Sequence, residues 1–149
     1  MGLSVKVESH VPETKEALRD AVERALTAIG QQCVSHAKQE LNGSPHRIDT
    51  GLLVNSLTFA LSGKPTEIST YKADKPRYPG RPIETGSYSG SAPNDSETKK
   101  AVYVGTNVEY AIYVHEGTSR MTPNRFLKNA VVNNMDEYAS IAKQELDKG

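Results

Sequence analysis

His115 and Glu116 stand side by side near the end of a stretch, Val102 to Arg120, that reads VYVGTNVEYAIYVHEGTSR. An imidazole beside a carboxylate is the combination from which acid–base chemistry and metal ligation are built. The H-E-x-x-H spacing of zinc hydrolases is not completed, because Ser119 stands where the second histidine would be. Neighbouring residues on a helix do not face one another, so the pair is not expected to act together. His10, His36 and His46 are scattered, with no two at ligand spacing. No catalytic, metal or cofactor residue is assigned, and His115–Glu116 reads as a polar helix end near a subunit contact.

The remaining reactive residue types have simpler readings. Cys33 falls on an apolar helical stripe and reads as a small buried hydrophobe rather than a nucleophile. Asp49-Thr50-Gly51 reads as a helix-capping turn. Neither G-x-x-x-x-G-K-S/T nor G-x-G-x-x-G occurs, so nothing supports a phosphate cradle. The segment with binding chemistry is basic and aromatic: Lys64, Lys72, Lys75, Arg77 and Arg81 interleave with Tyr71 and Tyr78, against Glu67, Asp74 and Glu84. Such a segment can contact phosphates and stack on bases, or serve as a solvated, protein-binding arm.

The elements around these residues follow from periodicity. LSVKVES alternates apolar and polar residues as a short strand or arm does. From Pro12 to about Leu41, apolar residues recur at threes and fours (Leu18, Val22, Leu26, Ile29, Cys33, Ala37), which gives one long amphipathic helix with Pro12 and Glu13 in its first turn. Gly30 in its middle weakens it by roughly 1 kcal/mol relative to Ala and marks a kink or a close approach. Asp49 or Thr50 is expected to cap a helical turn through Leu53, followed by a strand on which Leu57, Phe59 and Leu61 alternate with polar or small residues.

Ser62 to Lys100 has prolines at 65, 76, 79, 82 and 93, and reads as an extended arm. TEISTY within it is expected to be one limb of a hairpin that returns at KAVYV. AVYVG is a strand stopped at Gly105, and VEYAIYVHEG a short helix closed by Gly117. Pro123 is expected to open one final helix with Phe126, Leu127, Ala130, Val131, Met135, Tyr138, Ile141, Ala142 and Leu146 on its apolar face. The plan is a single α+β domain: a small antiparallel sheet packed on one face by a long N-terminal and a C-terminal helix, with the arm, at about 63–100, between the strands.

Composition bounds the function. The chain has 149 residues, 36% of them apolar, no Trp, and 18 basic against 18 acidic residues. The balance provides no global field for nucleic acid or an anionic membrane, so any such role needs a local patch. No apolar run follows Met1 and nowhere do eighteen apolar residues stand together, so neither a signal peptide nor a membrane span is expected. A single cysteine is compatible with a reducing compartment. The modest apolar content favours assembly or a long exposed loop.

Four pieces in order carry a resemblance. IDTGLLVNSL, VYVGT, EYAIYVHEGT and RMTPNRFLKNAV resemble the tail-completion, or head-tail joining, family of minor tail proteins in long-tailed bacteriophages. That family shows Asp-Thr-Gly-x-Leu-x-x-Ser, a V-x-V-G-T strand, a Tyr-Ala-x-Tyr-Val helix ending in Gly-Thr, and an Arg-rich turn before Phe-Leu. Here these fall on Asp49, Thr50, Gly51, Leu52 and Ser56; Val102, Val104, Gly105 and Thr106; Tyr110, Ala111, Tyr113, Val114, Gly117 and Thr118; and Arg125, Phe126 and Leu127. The chain departs from the pattern at Ile112, where the family often has proline, at Glu116, where it has an aromatic residue, and in the displacement of Pro123.

The resemblance implies a non-enzymatic, siphophage-like virion protein of the neck, assembled in the host cytoplasm. It would form a ring of six copies, twelve if it were a portal-side adaptor, that terminates or completes the tail. Its implied neighbours are the tail tube protein and the head completion or adaptor protein, with DNA passing through the lumen and no membrane. Lys72, Lys75, Arg77, Tyr78 and Arg81 of the arm, with Tyr110, Tyr113, His115, Glu116, Thr118, Arg120 and Arg125, are the expected contact residues. The alternative is a nucleic-acid-binding accessory protein that uses the basic arm from Lys64 to Arg81.

Overall fold

A computed structural model describes residues 2–10, 16–95 and 99–148. The fold is α+β, with helices and two antiparallel sheets. In chain order the elements are β1 (Leu3–His10), α1 (Glu16–Leu41), α2 (Leu52–Ser56), β2 (Thr58–Leu61), β3 (Thr70–Lys72), β4 (Thr85–Ser87), β5 (Lys99–Thr106), α3 (Ala111–Glu116), α4 (Phe126–Val132) and α5 (Met135–Lys148). The expected first helical turn with Pro12 and Glu13 lies outside the described residues, as does the side chain of Leu18.

The main sheet has the order β1-β5-β2, all antiparallel. Its register aligns Val5, Val104 and Phe59 in one row and Val7, Val102 and Leu61 in the next. Alternation places these apolar residues on the same face. The stripe Val22, Leu26, Ile29, Cys33, Ala37 and Leu41 of α1 joins them in the core. Gly30 explains how closely the helix and sheet approach: a Cβ there would lie 2.7 Å from the Phe59 ring and 2.9 Å from Val102 Cγ2. Gly105 serves β1 in the same way, since a Cβ would strike the Leu3 carbonyl oxygen and Ser4. β5 runs one residue past it, to Thr106.

Several sequence expectations are corrected. Gly51, in the left-handed region at φ 92°, is the cap residue of α2, although the Thr50 hydroxyl accepts the Leu52 N–H at 3.3 Å. α2 runs to Ser56, so the strand begins at Thr58 rather than Leu57. Pro123 does not open the last helix: the Asn124 N–H donates to the Val114 carbonyl and Phe126 N–H to the Asn124 carbonyl, which holds a turn until Phe126. That helix is also broken into α4 and α5 at Asn133–Asn134. The Asn134 side-chain amide donates to the Ala130 carbonyl at 2.9 Å, and such competition with the backbone interrupts helices. α5 consequently packs along α1, and Met135 and Leu146, expected in the core, are exposed.

The stretch from Ser62 folds back on itself rather than reaching away. Gly63 N–H donates to the Pro93 carbonyl, Ala92 N–H to Lys64, Tyr88 N–H to Ser69 and Ala73 N–H to Glu84, with β3 and β4 paired between them. TEISTY therefore leads into a pairing with β4, not with KAVYV. The prolines explain the pattern: both strands lie in proline-free windows, 66–75 and 83–92, where every N–H can donate. Asp74 N–H donates to the Thr50 carbonyl, and Ala73 is buried. Tyr71 OH meets Asn107, and Tyr88 OH donates to the Ser56 carbonyl at 2.6 Å. The hairpin is thus part of the fold.

Its returning limb is fastened by Asp95, which accepts from Ser62 Oγ at 2.5 Å, Lys6 Nζ at 3.1 Å and Tyr103 OH at 3.1 Å. The Ser62 hydroxyl first, then Lys6 and Tyr103, hold its carboxyl below the usual range against an opposing effect of burial. A carboxyl with a depressed folded pKa stabilises fully above its unfolded value, about 3.9, and loses that contribution as pH falls through the folded value. Asp95→Asn should lower Tm near neutral pH, with the gap to wild type closing below about pH 4; an equal gap at all pH would contradict this role. Gly30→Ala should reduce stability in urea by about 1 kcal/mol, because overpacking against Phe59 outweighs the gain in helix propensity. A more stable variant would show that α1 does not approach the sheet this closely.

Candidate functional site

An open cleft of about 610 Å³ forms where four segments meet: the 46–51 loop, α2, the tip of the β3–β4 hairpin and α3. Of the twelve expected contact residues it brings together Arg77, Tyr78, Tyr110 and Tyr113. Lys75 N–H donates to the Thr50 carbonyl at 3.3 Å, and the Arg81 N–H closes the tip by donating to the Tyr78 carbonyl at 3.1 Å. Arg77 lies 5.9 Å from the Tyr110 ring centre and donates from Nε to Glu84 at 3.2 Å, so its guanidinium is held in place. Burial pushes the Tyr110 phenol up. Tyr78 and Tyr113 are 64% and 58% exposed, an unusual state for two aromatic rings lining one cleft.

Arg47 was not singled out in the sequence, yet it builds this wall. Its two terminal nitrogens donate to the His46 carbonyl at 3.1 Å and the Thr122 carbonyl at 2.7 Å. Its Nε is the buried side-chain polar atom without a hydrogen-bond partner among the described residues. Asn124, buried, ties the neighbouring turn to the end of α1, with its amide donating to the carbonyls of Glu40 and Pro45, each at 2.8 Å. Both residues reach backbone carbonyls of distant segments, Arg47 that of Thr122 and Asn124 those of Glu40 and Pro45. Their partners have no sequence periodicity, so single-residue patterns do not reveal them.

His115 and Glu116 do act together, against the expectation from helix geometry. Nδ1 of His115 lies 2.8 Å from Glu116 Oε1, because the helix ends there and Gly117 takes φ 79°. Lys128 N–H donates to Nε2 at 3.3 Å, which makes Nδ1 the protonated nitrogen and the donor to Glu116. His115 is buried edge-on to Phe126, with ring centres 5.2 Å apart. Its imidazole therefore caps the first turn of α4, where Arg125 makes no side-chain cap. Glu116 is exposed, 3.6 Å from Arg125, and the His115 hydrogen bond holds its carboxyl below the usual range. Thr118 bridges to Met121, and its hydroxyl accepts the Arg120 N–H at 3.2 Å.

The expected basic stripe is divided. Lys64 pairs with Glu23 at 3.3 Å on α1, Tyr71 is turned inward, and Arg77 faces the cleft. Lys72, Lys75, Arg81 and Arg120 are exposed outside the cleft. Among the described residues no group of three or more His, Cys, Asp or Glu is placed to hold a metal ion, and no helix is long and apolar enough to cross a membrane. Cys33 is fully buried, and burial pushes its thiol up. No protein-family model, curated protein or solved structure matches the chain.

The capping role makes His115 and Glu116 unequal. His115→Ala should cost about 2 kcal/mol, or roughly 5 °C in Tm, through the lost cap and ring contact. Glu116→Ala should change Tm little, since its partners are at the surface. Equal effects in thermal denaturation would show that the carboxylate, not the cap, carries the contribution.

Proposed function

We propose that this chain is a structural ring subunit at the head-tail interface of a siphophage-like particle, where it completes or terminates the tail. The observation that carries the reading is the convergence of the family-like motifs. Asp49, Thr50 and Gly51 form one wall of the cleft, and Tyr110, Tyr113 and Val114 form the other. The strand motif is joined to the first by the Ser56–Thr106 hydroxyl contact at 2.6 Å. The turn before Phe126 is pinned to the helix motif through Asn124 and Val114. Two of the four motifs thus line one surface, and the other two, buried at Val102, Val104, Phe126 and Leu127, support it from beneath.

In this reading the two-layer body of helices on a small sheet is the rigid part of the ring. The β3–β4 hairpin and α3 make contacts with neighbouring subunits, the tail tube protein and the head completion or adaptor protein. Six copies suit a hexameric tube, and DNA passes through the lumen without an enzymatic step. Exposed apolar residues support association: Tyr78, Ile83, Ile112 and Tyr113 on the hairpin and α3, and Val132 and Met135 elsewhere. The virion is the site of action, reached from the host cytoplasm.

The test is electron microscopy of particles made by the parent phage or prophage with this gene deleted. Filled heads lying apart from tails of abnormal length or ragged ends are the expected outcome, restored by added purified protein. Normal joined particles would overturn the proposal.

A further inference from the structure

The two edges of the main sheet differ. On β2 the outer edge is covered: Glu67 N–H donates to the Phe59 carbonyl at 2.9 Å, and Ile68 N–H to the Thr58 hydroxyl at 3.4 Å. β1 has eight residues against four in β2, and ends the sheet on the other side. Among the described residues, no backbone bond reaches Leu3 to Val7 from outside the sheet. Such an edge is a row of unpaired N–H and C=O groups, and what it recognises is another extended strand. Nothing in β1 blocks pairing. It has no proline, and Lys6, the kind of charge that keeps edges apart, is already neutralised by Glu8 at 2.8 Å and Asp95 at 3.1 Å. Leu3, Val5 and Val7 pack against the core yet stay only half-buried. An apolar groove of about 370 Å³ opens beside Val7, walled by Leu26 and Ile29 of α1 and by the exposed Met135 of α5.

We infer that β1 joins two copies of this chain, paired antiparallel along their outer edges into one continuous sheet. Among the described residues no other strand suits the role: β5 has partners on both sides, β2 is covered, and β3 and β4 have three residues each. Two copies that present the same edge to each other are related by a two-fold axis, which makes the strands antiparallel. Side chains opposite each other share a face, so the axis passes through a residue rather than between two. Through Lys6 or Glu8 it would set like charges opposite each other; through Val7 it would face Val5 with Ser9, and through Ser4 the overlap is shorter. Through Val5 it pairs Val5 with itself and Leu3 with Val7 in both directions on the helix side, and Ser4 with Lys6 on the other. That register sets the partner's Leu3 beside Val7 at the apolar groove. The inference goes beyond the ring reading, because a two-fold contact leaves the heterologous, ring-closing surfaces free.

The full chain supplies the test, because its single native cysteine is fully buried. Sedimentation over a range of concentrations should show the native chain associating. On oxidation, Val5→Cys should cross-link to itself, whereas Leu3→Cys and Val7→Cys should cross-link when mixed and not alone. Ser4→Lys changes an exposed residue that the pairing places opposite Lys6 twice, and should weaken association about tenfold with the fold intact. A chain that stays monomeric at every concentration overturns the inference. An assembly in which Val5→Cys does not cross-link overturns the pairing and leaves the ring reading standing. If the cysteine variants fail to fold, hydrogen exchange on the native chain decides. The amides of Leu3 to Val7 should then exchange more slowly as concentration rises, and exchange that ignores concentration overturns the pairing. The particle experiment does not depend on any of these results, so the two readings fail separately.

Discussion

The approach of α1 to the sheet at Gly30 is the contact on which the other placements depend. Without a side chain at that position the helix lies directly on the Phe59 ring and on Val102, the strands of which are hydrogen-bonded neighbours. That contact fixes β5, and β5 is the strand with a partner on both edges. From it hang β1 on one side and β2 on the other. α2 enters β2, and α3 follows β5 directly, so both walls of the cleft take their positions from one helix–strand contact. The cost of a glycine in a helix, about 1 kcal/mol, is offset by the burial it permits on either side.

A chain with this little apolar surface also relies on polar groups that are buried in satisfied networks. The Ser56 and Thr106 hydroxyls meet at 2.6 Å, and Thr106 also accepts the Val108 N–H at 3.0 Å. Tyr138 OH donates to the Ala130 carbonyl at 2.7 Å and stands 2.8 Å from His36 Nδ1, which joins α5 to α4 and α1 at a single oxygen. Burial pushes that phenol far up, with the adjacent Cys33 adding to the effect. Such networks specify geometry more than they add net stability, because each bond replaces one to water. The helix break at Asn133–Asn134 is held in this way, and the α4–α5 corner is consequently a defined feature.

Periodicity made the long elements legible. The stripe of α1, the alternation in β1 and β5 and the Gly117 cap of α3 follow from spacing and residue type, because each is governed by neighbours within a few positions. The β3–β4 hairpin was not legible in that way: its prolines argue against a ladder over the segment as a whole, yet leave two windows free to pair. The break in the last helix depends on one asparagine amide, and the late start of α4 on a carbonyl of α3. Of the cleft, the residues on the hairpin and α3 could be named in advance, while Arg47 could not. Its partners are backbone oxygens that sequence does not distinguish from any others.

His115 connects these levels. By capping α4 from the end of α3, it makes the cleft wall and the first turn of α4 parts of one unit, with Phe126 packed against the imidazole. The seven residues of α4 then carry that orientation to the corner at Val132–Met135, where Tyr138 and His36 fasten it to α1. Two short helices joined through a buried histidine form one packed unit, and this accounts for an imidazole at a position where chemistry would have been the first suspicion.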